Sequence, residues 1–171
     1  VKSGELLQTL TENIGPTTSI VFTPDGNQFI TGAIGSDRTI KFWDAQTYEL
    51  LKTSAQQLGF VNGLAVTPNG FNLVAAVRNF VKIWDLPNGK EVHSTKVPSL
   101  EINTIAVSPG SQLVATANKE GSIMLFDVNT GKKLTTLEGH NGWLLSLAFS
   151  PDGDTLCQSS RGCSSRKNTQ R

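Results

Sequence analysis

Cysteine is nearly absent from this chain of 171 residues: Cys157 and Cys163 are its only two, both in the last fifteen positions. That excludes a disulfide-stapled secreted framework. With no further Cys or His near them, a metal site is not expected either. Histidine is limited to His93 and His140, far apart in sequence, which gives no nucleophile–base or ligand pair. No run approaches the roughly 18 consecutive apolar residues of a membrane helix, so no membrane partner is expected. No Gly-x-x-x-x-Gly-Lys loop is present, and no cofactor is implied. Charge is sparse at 17%, with a net of +1. Four of the fifteen basic residues (Arg161, Arg166, Lys167, Arg171) fall in the acid-free C-terminal stretch, leaving the rest net negative. A phosphate-tracking nucleic-acid surface is therefore not expected. The chain opens on Val1 and its single methionine is Met124, which suggests an excised or truncated piece; no leader is visible and a cytoplasmic location is expected.

What is present is repetition. Ser19–Gly26 (SIVFTPDG), Gly63–Gly70 (GLAVTPNG), Thr104–Gly110 (TIAVSPG) and Ser146–Gly153 (SLAFSPDG) read alike, and their prolines, Pro24, Pro68, Pro109 and Pro151, recur about every 42 residues. A second landmark keeps the same period: Ile40–Asp44 (IKFWD), Val81–Asp85 (VKIWD) and Ile123–Asp127 (IMLFD). Each unit holds four short runs of strand character separated by turn signals, and no window shows a helical period. The Pro-Asp-Gly and Pro-Asn-Gly triplets preset a turn. Gly4, Gly89 and Gly131 mark a second hairpin tip, where a left-handed residue is expected; the first unit has Tyr48 there, which suggests a remodelled turn. Small residues crowd the second strand of each unit (Gly32-Ala33, Ala75-Ala76, Ala115-Thr116-Ala117), as suits sheets packed face to face. The expectation is an all-β repeat array.

These residues resemble the WD repeat of β-propellers. Trp43-Asp44 and Trp84-Asp85 are the family's dipeptide, Phe126-Asp127 a common variant, and Gly139-His140 stands where its Gly-His belongs. The resemblance implies an incomplete WD-repeat β-propeller over residues 1–156. Residues 1–10 would be the outer strand of a preceding blade, 19–53, 61–95 and 102–137 three full four-stranded blades, and 144–156 the start of another. The tail, 157–171, is basic and without periodicity, and is expected to be disordered. The family often ties a blade with a His, Ser/Thr, Asp and Trp tetrad. Asp37 and Trp43 match its Asp and Trp, but the His place holds Asn13, Gln57 or Pro98, so packing of the strands must carry stability. An open array also implies self-association through unpaired blade edges.

One register points to function. Eight residues before each proline stand Pro16, Phe60, Glu101 and Trp143, at the lead-in to each innermost strand. Phe60, Glu101 and Trp143 are candidate partner-binding residues, since aromatics are favoured interface anchors; the competing reading has the rings simply covering neighbouring blades. The recurring Asp44, Asp85 and Asp127 read as turn or blade-edge residues rather than as paired catalytic carboxylates. The expected function is a non-catalytic protein-interaction scaffold, a fragment or truncated product of a larger regulatory or signalling WD-repeat protein with a protein partner. The alternatives are a segment of a propeller hydrolase or dehydrogenase, or a binder of an acidic partner through the basic tail.

Overall fold

The computed structural model describes residues 4–12, 14–98, 101–137, 142–160 and 167–169. Among these residues every regular element is a strand. The first sheet runs β1 (Thr17–Phe22), β2 (Gln28–Ala33), β3 (Ile40–Asp44), β4 (Leu50–Thr53). The second runs β5 (Val61–Val66), β6 (Asn72–Val77), β7 (Phe80–Asp85), β8 (Lys90–Lys96). The third runs β9 (Ile102–Val107), β10 (Leu113–Asn118), β11 (Ile123–Asp127), β12 (Lys133–Leu137). A fourth holds β13 (Leu144–Phe149), β14 (Thr155–Ser160) and β15 (Lys167–Thr169). Each is an antiparallel meander in chain order, and the four sheets do not close into a ring. No helix among the described residues is long and apolar enough to cross a membrane.

The turns follow from the triplets. Gly26, Gly70 and Gly153 take positive φ and donate their backbone N–H to the carbonyls of Thr23, Thr67 and Ser150. In the third unit, where Gly110 precedes it, Ser111 takes the left-handed place at φ 61°. At the other hairpin tip Tyr48 is left-handed too, at φ 62°, and its N–H bonds the Asp44 carbonyl at 3.0 Å, just as Gly131 bonds Asp127 at 2.9 Å. The turn is thus kept rather than remodelled. The chain absorbs roughly 1–2 kcal/mol of left-handed strain at Tyr48, because Asp44 fixes the loop by accepting the N–H groups of Gln46 and Thr47, both at 2.8 Å.

The sheets stack through their first strands, β1 on β5, β5 on β9 and β9 on β13. One apolar cluster fills each junction. Leu73, Ala75 and Val77 of β6 face the first sheet with Ile30, Val61 and Leu64. Val74 and Ala76 face the third with Val114 and Phe126. This alternation explains why β6 reads as an unbroken apolar run: both its faces are covered. The small residues set the spacing. A Cβ on Gly32 would stand 2.6 Å from Val61 Cγ1, so the first and second sheets approach where glycine permits.

Two expectations are corrected at the ends. Residues 4–12 form no strand, and no described strand pairs with them. Instead Leu6, Leu7 and Leu10 lie with Ile20, Phe22 and Phe29 around a cavity on the outward face of the first sheet. The expected disorder from residue 157 is also not found over Cys157–Ser160 or Lys167–Thr169. The first stretch completes β14, paired to β13, and the second is β15, paired to β14. Backbone ladders do not require apolar side chains, so loss of the repeat pattern does not prevent pairing.

Candidate functional site

The innermost strands share an irregularity that the sequence did not announce. The register of β1, β5, β9 and β13 slips at one residue each: Thr18, Asn62, Asn103 and Leu145. Such bulges re-aim a side chain. Here the re-aimed group crosses to the next sheet. Thr18 Oγ1 donates to the Val61 carbonyl, Asn62 Nδ2 to that of Ile102 at 2.8 Å, and Asn103 Nδ2 to that of Leu144 at 3.3 Å. Leu145, half-exposed, holds the fourth place without a donor. The available signal was positional, two residues after the Phe60 and Trp143 register, but residue type alone gave no reason to look there.

The lead-in residues stand at the same end. Phe60 is 44% and Trp143 47% exposed. The Phe60 carbonyl accepts the Arg78 N–H at 3.0 Å, as the Pro16 carbonyl accepts that of Ile34. Glu101 accepts Lys119 Nζ at 2.6 Å and Asn62 Nδ2 at 3.1 Å. The Lys119 hydrogen bond, outweighing partial burial, holds the Glu101 carboxyl below its usual range, with help from Asn62 and the nearby Arg78 charge. Lys119 Nζ also lies 5.2 Å from the Trp143 ring centroid, a cation–π contact. Two depressions result. One of 390 Å³ is lined by Arg38, Leu58, Gly59, Phe60, Arg78 and Glu101. The other, of 300 Å³, is lined by Asn62, Glu101, Asn103, Lys119, Trp143 and Leu145. Glu101 borders both, so Phe60, Glu101 and Trp143 lie on one continuous face. The cations Arg38, Arg78 and Lys119 belong to it as well and were not anticipated.

The remaining motif residues lie elsewhere. Trp43 and Phe126 are fully buried and Trp84 nearly so. Trp43 Nε1 donates to Thr31 Oγ1 at 3.0 Å, and its ring stacks on Phe29. Asp37 does not complete a tetrad with Trp43. Its carboxylate, largely buried, accepts Lys41 Nζ at 2.8 Å, Thr39 Oγ1 and the Ile14 N–H at 3.0 Å. Burial alone would raise its pKa; these three partners outweigh burial and lower it. Asp44, Asp85 and Asp127 accept backbone N–H groups of their own hairpin turns. Backbone donors, Thr47 first, lower the Asp44 carboxyl, and the Thr130 hydroxyl and N–H lower that of Asp127. Gly139 and His140 lie outside the described residues.

The family described as WD domain, G-beta repeat matches residues 4–44, 89–127 and 131–166. The chain belongs to the WD-repeat family. The second match begins just before outer strand β8 of the second sheet and ends on β11 of the third, so this WD repeat straddles two blades. An uncharacterized WD repeat-containing protein of Synechocystis sp. is 72% identical over 73% of this chain and 36% of its own length. Autophagy-related protein 16 of Arabidopsis thaliana is 25% identical over 84% of the chain and 36% of itself. Pre-mRNA-processing factor 19 of Oryza sativa is 26% identical over 88% and 29%. The chain thus spans about a third of the length of these relatives.

Proposed function

We propose that the chain is a non-catalytic protein-interaction scaffold, part of a larger regulatory or signalling WD-repeat protein, and that it engages its partner on the face bearing Phe60, Glu101 and Trp143. One observation carries this reading. Two large rings stand half in solvent at equivalent lead-ins of the second and fourth sheets, flanking an ionised carboxylate, while the other two tryptophans are buried. Half-exposed aromatics beside satisfied polar groups are what a protein interface uses as anchors. The relatives' names, one for autophagy and one for pre-mRNA processing, fit a fold whose partner is chosen by surface residues.

A photoreactive phenylalanine analogue placed at position 60 or 143 of the parent protein tests this reading. It should cross-link a protein partner in the cells that make it. The same analogue at position 134, exposed on outer strand β12, should not. Labelling no stronger at 60 and 143 than at 134 removes the reading.

A further inference from the structure

We propose that the part of this face between the first and second sheets takes an acidic peptide segment, with an apolar side chain next to its carboxylate. The proposal rests on the interaction-face reading above and adds the chemistry of the partner.

Backbone strain singles out two arginines. Arg38 and Arg78 occupy the β2–β3 and β6–β7 connections at φ 49° and 52°, in the left-handed region that side chains disfavour. The same connection of the third sheet uses Gly121, at φ 90°. In this pose each arginine carbonyl accepts an N–H from the segment leading into the next sheet, Gln57 at 2.8 Å and Ile102 at 2.7 Å. Glycine would serve that backbone role without strain, so the guanidinium is an addition the turn does not need. Strain held at a surface of this kind points to a use for the side chain.

The two side chains flank one depression. The stem of Arg78 packs on Gly59, where an added Cβ would meet Arg78 Cβ at 2.5 Å. Arg38 Nε is buried and has no hydrogen-bond partner among the described residues. Neither arginine forms an ion pair among those residues. The one carboxylate bordering the depression, Glu101, is already held by Lys119 and Asn62. Between the cations lie Leu58, 84% exposed, and Phe60. Among the described residues neither guanidinium is paired, although the Arg78 charge acts on Glu101, so both can take a further carboxylate in a fork, and the apolar floor selects a neighbouring aliphatic or aromatic side chain. A continuous polyanion fits less well, because its next phosphates would meet the ionised Glu101.

The test is fluorescence anisotropy on the full chain. The probes are a fluorescein-labelled octapeptide of glycine and serine carrying one glutamate flanked by leucines, its lysine counterpart, and labelled octauridylate. The acidic peptide should bind in preference to the other two, and raising NaCl from about 50 to about 300 mM should weaken it several-fold. R38E/R78E should reduce affinity about tenfold or more, and K132E, in the β11–β12 turn at the opposite end, should leave it unchanged. Arg78→Gly relieves the left-handed strain and so controls for folding: its thermal midpoint should hold while binding falls. Equal binding by R78G and the unaltered chain overturns the proposal, as does preference for octauridylate or for the lysine peptide. Cross-linking through position 60 that persists in R38E/R78E, together with no acidic-peptide binding by the unaltered chain, overturns it and leaves the scaffold reading standing. Absence of cross-linking at 60 and 143 removes both.

Discussion

Ala75 in the second sheet and Gln158 in the fourth occupy the same place, opposite Leu64 and Leu147 on the neighbouring first strands. Both are buried. Ala75 adds a methyl group to the cluster between the first and second sheets. Gln158 carries an amide into the equivalent junction, and neither its Oε1 nor its Nε2 finds a partner among the described residues. The contrast extends to the neighbouring position: Val74 is buried against the third sheet, whereas Cys157 is exposed. The second sheet is held by apolar packing on both faces. Among the described residues the fourth is held on one, with an amide that has no partner there inside that contact. The stability of a blade in this array is therefore set by its neighbours more than by its own ladder.

Substitutions can break or sharpen this contrast. Leu73→Ala, at a fully buried site of the second sheet, should lower stability by about 2–5 kcal/mol, read from urea unfolding. Leu156→Ala, the matching change in the fourth sheet, should mainly speed amide exchange in β13 and β14 and leave the main transition near its original midpoint. Gln158→Ala should raise stability by about 1–3 kcal/mol, since it removes buried amide groups without partners; a loss of stability would show that the amide is satisfied in solution. Asn62→Ala breaks the link to Ile102 and should cost about 1 kcal/mol. Leu145→Asn restores the donor at the fourth bulge without an acceptor and should change stability by less than about 0.5 kcal/mol.

In the first sheet the buried charges are the pair Asp37 and Lys41, and the effect read there is a pH dependence. The folded pKa of Asp37 lies below the unfolded value, so its contribution is complete above about pH 4 and is lost as pH falls through the folded value. Asp37→Asn should flatten that acid limb of the stability profile, and an unchanged limb would assign it to other carboxylates.

Much of the fold was legible in sequence because a strand pattern repeated four times averages out local ambiguity. The prolines at 24, 68, 109 and 151 located the turns, and the alternation in Leu73–Val77 located two covered faces. Tyr48 misled because propensity describes a residue, whereas the turn is fixed by Asp44 and its backbone donors. Cys157–Ser160 misled because composition reports burial, not pairing. At the site, Phe60, Glu101 and Trp143 were legible by register. Arg38, Arg78 and Lys119 were not: the connections carrying them differ in length, and although Arg78 and Lys119 each follow their proline by 10 residues, Arg38 follows Pro24 by 14. The bulged donors were hidden for another reason: their acceptors are backbone carbonyls, which every residue has.

Those donors have a direction. Thr18 reaches Val61, Asn62 reaches Ile102 and Asn103 reaches Leu144, separations of 43, 40 and 41 residues, and each time the donor comes earlier in the chain. A ribosome delivers the chain in that same order. Each donor stays without its acceptor until one further repeat has emerged, and the link then needs nothing later in the chain. Assembly becomes vectorial, a row of tiles laid from one end, and an error at one tile is confined to the seam that follows it.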